Sequence, residues 1–513
     1  MRGIFSPITR IRRQVFTEVA RFAYERDLDS DDFTYFYESA YRIIPGEVPQ
    51  YRDSVFKERA IIQERIRLAL GLPLRPAGTY QSFTDGMTDC ARGANCLQEP
   101  LVNIIPFACV ACPTDRFKVS DNCRKCLAHP CTSVCPVKAV SIGLHTAIID
   151  EDKCIKCGRC VQACPYHAII RSGRPCAEAC GVDAIESDEL GRAVINQDKC
   201  VACGLCIISC PFAAIADKSE LFQLITAIRS GVKVYAEIAP SFVGQFGPLA
   251  TPGKIAAGLR KLGLANTIEV GWGADINSIR EADEFLEKVP DKQPFLGTSC
   301  CPSWELAARR AFPDLSTCIS SAHTPMMAAA RQIKINDPEA KVVFIGPCVA
   351  KKQEALEPEV RPFVDYVITF EELMGMFSAQ QIELNSLEED PLTTLASYDG
   401  RSYAVAGGVV QAIIHDIKKE HPDREVAYMQ ADNLRDCRKM LQLASKGKTP
   451  GHILEGMACP GGCIGGPGNL IQIERADKSV KVFARLSPFA TASDNPVAIA
   501  AVDSHRGHTG KKE

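Results

Sequence analysis

Cys154-Ile-Lys-Cys157-Gly-Arg-Cys160-Val-Gln-Ala-Cys164-Pro165 decides how the middle of this chain folds. Three thiols at two-residue gaps can wrap one face of an iron–sulfur cube. A fourth, set by a turn at proline, reaches across to a neighbouring cube. Zinc knuckles use paired C-x2-C steps and have no need of the third cysteine or the C-P turn. The run returns as Cys200-x2-Cys203-x2-Cys206-x3-Cys210-Pro211.

Both runs belong to a fourfold repeat with the pattern C-x3-C-(P/G)-x2-A-(I/V). It covers Cys131 to Val140, Cys160 to Ile169, Cys176 to Ile185 and Cys206 to Ile215. A C-x2-C pair precedes the first, second and fourth copies: Cys123/Cys126, Cys154/Cys157 and Cys200/Cys203. The third copy has none. Pairing copies one and two predicts one [4Fe–4S] cluster on Cys123, Cys126, Cys131 and Cys164, and another on Cys154, Cys157, Cys160 and Cys135. Cys200, Cys203, Cys206 and Cys180 complete a third. Cys176 and Cys210 are then half a site. Either Cys109-x2-Cys112 supplies the missing pair and builds a fourth cluster, or Cys90, Cys96, Cys109 and Cys112 form their own site, or some are plain thiols.

Eighteen of the 25 cysteines lie between Cys90 and Cys210, crowding that suits thiolates on metal rather than disulfides. It predicts a reducing compartment, by default the cytoplasm. The first residues show no apolar run followed by a small-residue cleavage site, and no stretch approaches the roughly 18 apolar residues of a membrane span. A net charge of −3 gives no general attraction for nucleic acid. The expected partners therefore exclude nucleic acid and membrane insertion. At 513 residues with 46% hydrophobic side chains, the chain is a multidomain protein able to bury cores.

The expected fold is multidomain, α+β and α/β. Residues 1–80 read as a helical N-terminal region, with Val15, Val19, Phe22 and Ala23 at helical spacing and a second run from Val55 to Leu70; its expected role is packing or docking. Residues 81–218 are the cysteine-rich, ferredoxin-like part. From 219 to 490 short strands alternate with helices: Val232–Ile238 ends at Ala239-Pro240-Ser241, Lys341–Ile345 at Gly346-Pro347-Cys348, and Tyr366–Ile368 runs into the capping box Thr369-Phe-Glu-Glu372. In α/β folds, ligand loops sit at such strand ends. Residues 491–513 read as a polar, frayed tail.

Three cysteine loops in the second half are of another kind: Thr298-Ser-Cys300-Cys301-Pro-Ser-Trp304, Gly346-Pro-Cys348-Val-Ala-Lys351-Lys352 and Glu455-Gly-Met457-Ala-Cys459-Pro-Gly-Gly-Cys463. In this order they resemble the three signature loops of [FeFe]-hydrogenases over roughly residues 230–475. The resemblance is greatest to the group B-like, monomeric, ferredoxin-dependent type. It implies a two-lobed α/β catalytic domain binding an H-cluster, a [4Fe–4S] cube joined to a two-iron unit with CO, CN⁻ and a dithiolate bridge. Three to four additional [4Fe–4S] clusters would serve it.

Four thiolates, Cys301, Cys348, Cys459 and Cys463, suffice for one cube, and Cys463 matches the sulfur shared with the two-iron unit. Lys351 matches the cyanide-binding lysine, a charge-assisted contact; Lys352 reads as a solvated loop lysine. Met457 matches the position beside the bridging carbonyl. Cys300 matches the non-ligand thiol that hands on a proton, with Glu281, Glu284 and Ser320 as the remaining relay. Glu281 and Glu284 share a helix face at i, i+3; without the resemblance they read as solvated surface. Gly461-Gly462 and Gly465-Gly466 are expected to let backbone approach the cofactor. Cys318 and Cys437 match nothing and read as buried or idle thiols.

Gly346, Met326 and Pro467 depart from the family's usual methionine, glutamine and glycine. The implied function is reversible hydrogen oxidation and proton reduction. H2 and protons would be the substrates, ferredoxin or a similar low-potential carrier the redox partner, and maturation proteins would insert the two-iron unit. A hydrogen sensor of low activity and an iron–sulfur assembly protein lacking that unit are the alternatives.

Overall fold

A computed structural model describes residues 3–28, 30–91, 97–393 and 395–509. The first helix, Pro7–Glu25, starts at Ser6, whose hydroxyl accepts from the Thr9 amide, with proline in the first turn. Its apolar stripe of Val15, Val19, Phe22 and Ala23 is buried. The stripe has no core of its own. With Tyr35–Ile43 and Val55–Ala69 it joins the apolar cluster over the main sheet of the second half. Close approach is possible because Gly375 faces Phe16, where an added Cβ would meet Phe16 Cβ at 2.7 Å. Arg12 pairs with Glu371 beside it.

The cysteine-rich part is built from short antiparallel strand pairs. Arg116–Val119 pairs with Ile169–Ser172, and Val140–Ile142 with Ala147–Ile149. The second set pairs Val102–Ile104 with Ile215–Asp217, and Ile185–Ser187 with Ala193–Ile195.

Beyond residue 220 there are two parallel sheets. Four strands run in the order Asn266–Glu269, Val234–Ile238, Lys341–Gly346, Tyr366–Thr369. Three run in the order Phe295–Gly297, His452–Gly456, Ala427–Ala431. Parallel strands buried on both faces need continuous apolar runs, which Val-Val-Phe-Ile at 342–345 supplies. The helix Val270–Lys288 buries Trp272, Ile276 and Phe285. Thr369 and Glu372 form the expected capping box of Phe370–Ala379.

Residues 496–509, read from sequence as part of a polar tail, form a helix. Ala498, Ala501 and Val502 are buried in the main core. Their i, i+3, i+4 spacing is an apolar face too short to stand out among polar neighbours. Among the described residues no helix is long and apolar enough to cross a membrane.

Candidate active site

Three strands end where the three cysteine loops begin. Phe295–Gly297 leads to Cys300-Cys301, Lys341–Gly346 to Cys348 and His452–Gly456 to Met457–Cys463. Since the strands are parallel within each sheet, their C-terminal ends deliver the loops to one place. There Cys300, Cys301, Cys348, Cys463, Lys351 and Met457 line a single cavity with ≈ 610 Å³ of empty space. Cys459 is buried on the same loop, outside the cavity wall.

The donor set fits a cluster. Burial, with Cys301 nearby, pushes the Cys348 thiol up to about 11; burial, with Cys348 and Cys301, pushes Cys463 up to about 12. Such thiols stay neutral until a metal takes the place of their protons. Lys351 is buried against the cavity, its Nζ 2.6 Å from Glu354 Oε2. Burial pulls its ammonium down, but Glu354 outweighs that and holds it above its ordinary value. A buried cation at the wall suits an anionic cofactor.

Glu281 is fully buried and accepts from the Ser299 amide (2.8 Å) and hydroxyl (2.9 Å) through Oε1. Burial raises its carboxyl to about 7, with Glu284 adding and Ser299 opposing. The Ser320 hydroxyl donates to Glu284 Oε2 at 2.7 Å and also lies close enough to Glu281 to lower it. Glu284 then meets Lys288 at 2.6 Å, a partly exposed side chain. Cys300 remains open to the cavity while dense protein surrounds it; burial and then Glu281 push its thiol up. Glu281 and Glu284, which read alone as solvated surface, are therefore placed inside, between Cys300 and the exterior.

Lys352 is not the solvated loop lysine expected from its place in the sequence. It is wholly buried, not solvated, bonding Asp217 (2.7 Å), Glu372 (2.8 Å) and the Lys218 carbonyl (2.8 Å). Two of the loop glycines also have close protein neighbours. A Cβ on Gly462 would meet the Ala406 amide at 2.7 Å, and one on Gly466 the Pro347 carbonyl at 2.7 Å, so they pack loop against loop.

The three departures have local partners. At Gly346 a side chain would strike the Phe344 ring at 2.5 Å, and that ring lines the cavity. Met326 is buried in the same wall, and Pro467 packs on Gly204 of the second iron–sulfur run. Cys318 and Cys437 are buried in a helix–sheet core.

Several residues of the site went unnoticed in the sequence. Tyr403 lines the cavity, its buried hydroxyl pushed up by burial and then Glu281. Glu455 is held by the Gly407 (2.7 Å) and Val410 (2.8 Å) amides yet raised by burial to about 7. Pro240 lines the wall, and the Ser241 hydroxyl beside it is buried without a partner. Pro240 and Ser241 carried a signal as the end of a strand, and Glu455 as the first residue of the third cysteine loop; Tyr403 carried none.

The accessory cysteines also gather. Cys123, Cys126, Cys131 and Cys164 line one cavity. Cys109, Cys112, Cys176 and Cys210 line another. Cys154 and Cys157 act on Cys160, packed in one cluster with Cys135; Cys180 acts on Cys200, Cys203 and Cys206. Among the described residues no three His, Cys, Asp or Glu side chains are close enough to grip one metal ion. Four sulfurs spaced around a cavity suit a cube. Cys90 is disulfide-bonded and buried. The alternative site on Cys90, Cys96, Cys109 and Cys112 includes Cys96, which lies outside the described residues.

Residues 232–467 match the family described as iron only hydrogenase large subunit, C-terminal domain. Residues 147–170 and 193–216 each match the 4Fe-4S binding domain. The chain carries an iron-only hydrogenase-like domain with 4Fe–4S motifs. It is 29% identical over 382 residues to the NADP-reducing hydrogenase subunit HndD of Solidesulfovibrio fructosivorans, covering 63% of this chain and 64% of that one. Iron hydrogenase 1 of Clostridium pasteurianum is 30% identical over 377 residues, 62% of this chain and 64% of that one. The periplasmic [Fe] hydrogenase large subunit of Nitratidesulfovibrio vulgaris is 29% identical over 402 residues, 69% of this chain and 94% of that one. The chain thus spans just under two thirds of the length of the first two relatives. It is also similar, at 24% over 297 residues, to a cytosolic Fe-S cluster assembly factor of Danio rerio, covering 47% of this chain and 71% of the other.

Proposed function

We propose that this chain is an [FeFe]-hydrogenase of the group B-like type, catalysing 2H⁺ + 2e⁻ ⇌ H2. The observation that carries this reading is one cavity walled by Cys300, Cys301, Cys348, Cys463, Lys351 and Met457, with Glu281, Ser320 and Glu284 leading outward. Cys301, Cys348, Cys459 and Cys463 would hold the H-cluster, which supplies the hydrogen-binding and electron-accepting chemistry when bound. Lys351 holds its charge at the cavity wall, anchored by Glu354. Met457, Met326 and Phe344 keep water from that wall.

Cys300 exchanges a proton between the cavity and Glu281. Ser320, bonded to Glu284, passes it to that carboxylate, and Lys288 and Ser321 mark the way out. The motif cysteines of the N-terminal half would hold [4Fe–4S] clusters that store single electrons. The exchange partner is a low-potential carrier of ferredoxin type, maturation proteins supply the two-iron unit, and the working compartment is the cytoplasm.

A second reading, an iron–sulfur assembly protein without the two-iron unit, is favoured by the similarity to the assembly factor. Expression without oxygen alongside hydrogenase maturation proteins separates the two. Infrared bands of CO and CN⁻ together with hydrogen turnover are expected; absence of both from iron-replete protein leaves the assembly reading standing. Cys300→Ala should keep the bands and lose most turnover.

A further inference from the structure

We propose that Cys109, Cys112, Cys176 and Cys210 hold a fourth accessory [4Fe–4S] cluster, and that residues 113–175 are a complete two-cluster module inserted into this site. The four cysteines line one cavity with ≈ 330 Å³ of empty space. The wall is otherwise apolar except for Arg174. The Arg174 guanidinium is buried and bonds the Cys112 (3.1 Å), Glu186 (2.9 Å) and Gly191 (2.7 Å) carbonyls. It thereby ties the two ends of the insertion together and sets a positive charge beside four thiolates.

The stronger ground is point-by-point equivalence with the set Cys123, Cys126, Cys131 and Cys164, which lines a cavity of ≈ 380 Å³. The Ala147 amide donates to Cys123 Sγ at 3.4 Å, and the Ala193 amide to Cys109 Sγ at 3.4 Å. The Ala168 amide donates to Cys164 Sγ at 3.4 Å, and the Ala214 amide to Cys210 Sγ at 3.4 Å. Inside the C-x2-C steps, Lys125 has φ 47° and Ala111 has φ 49°, a left-handed backbone that residues with a side chain seldom adopt. The strand before each pair is also equivalent: Arg116–Val119 closes on Ile169–Ser172, and Val102–Ile104 on Ile215–Asp217, both antiparallel.

Cys109-x2-Cys112 is therefore the pair that the third repeat lacks. It stands far upstream because the first module was placed between it and Cys176. The site also occupies a useful place. Cys176 is among the thiols acting on Cys206, and Cys301 among those acting on Cys203. A cluster here would store single electrons between the inserted module and the site beside the catalytic loops, with no atom or proton transferred.

The test is iron, sulfide and zinc per chain after anaerobic reconstitution without maturation proteins, where every cube and no two-iron unit loads. Four accessory cubes and one catalytic cube require about 20 irons; three accessory cubes require about 16. Cys109→Ser combined with Cys112→Ser should remove about four irons and four sulfides, and one reduced-cluster signal by electron paramagnetic resonance. Cys437→Ser, a buried thiol outside all sets, should remove none. An intact protein saturating at about 16 irons, or one zinc lost with the double substitution, overturns the proposal. None of these readouts depends on hydrogen activity, so their failure is distinct from failure of the hydrogenase reading.

Discussion

Glu281 has one carboxylate oxygen engaged by Ser299 and the other without a hydrogen-bond partner in a buried setting. Burial raises its affinity for a proton to about 7, so it is protonated below that pH and ionised above. In the proposed relay, hydrogen uptake requires it to accept a proton, and evolution requires it to give one. Uptake should therefore climb as pH rises through about 7, while evolution declines over the same range. Glu281→Gln should flatten both profiles and slow turnover about 10²- to 10⁴-fold, without moving the infrared bands. Profiles unaltered by the substitution would remove Glu281 from the relay. The folded chain also keeps a proton on Glu281 that the unfolded chain releases near 4.5. This contribution to stability is full below that value and lost as pH rises through about 7. The i, i+3 spacing placed Glu281 and Glu284 on one face of a helix. Their burial was not legible, because it comes from Ser299 and Ser320, segments distant in sequence that fold over that face.

Lys352 shows what a strand-end loop does beyond its cysteine. It follows Cys348 by four positions, and its ammonium joins Asp217, at the end of a ferredoxin-type strand, to Glu372 in the first turn of Phe370–Ala379. Burial and the two carboxylates act oppositely on it, and the carboxylates win, holding its charge. Lys352→Met would leave two buried carboxylates facing each other. We expect a loss of about 3–5 kcal/mol in chemical denaturation. A loss below about 1 kcal/mol would show the triad to be incidental. At this scale the strands before Ala239 and Pro347 and the capping box at Thr369 could be read from alternation and turn chemistry. Lys352 could not, because a lysine after a loop looks the same whether it faces water or two acids from other elements. The helix at Pro496–Thr509 was missed for a similar reason: its three small apolar contacts acquire meaning only against Val270–Lys288 and the core.

Across the whole molecule, charge is unevenly spread. The chain carries −3 overall, yet between Asp115 and Ser172 nine lysines and arginines stand against five aspartates and glutamates. Large apolar side chains are exposed on the same module: Leu127 at 96%, Leu144 at 80% and Ile155 at 60%. Lys125 Nζ bonds the Leu144 carbonyl at 3.0 Å, which brings basic and apolar groups together, and Cys157 is exposed nearby in sequence. This composition was on view in the sequence, but its meaning depends on the insertion. The pairing of Val102–Ile104 with Ile215–Asp217, more than a hundred residues apart, encloses the module in the chain, and no local pattern reveals that pairing. A basic rim around exposed apolar groups suits an acidic iron–sulfur carrier, attracted through charge and seated on apolar contact. Lys156 is exposed beside Ile155. Lys125→Glu with Lys156→Glu should therefore raise KM for an acidic ferredoxin at least tenfold at low salt. Activity with a small viologen, which has no need of that face, should stay the same. Added salt should weaken the unsubstituted pair and narrow the gap between the two proteins. Equal KM values at low salt, or an equal loss with the viologen, would show that electrons enter elsewhere.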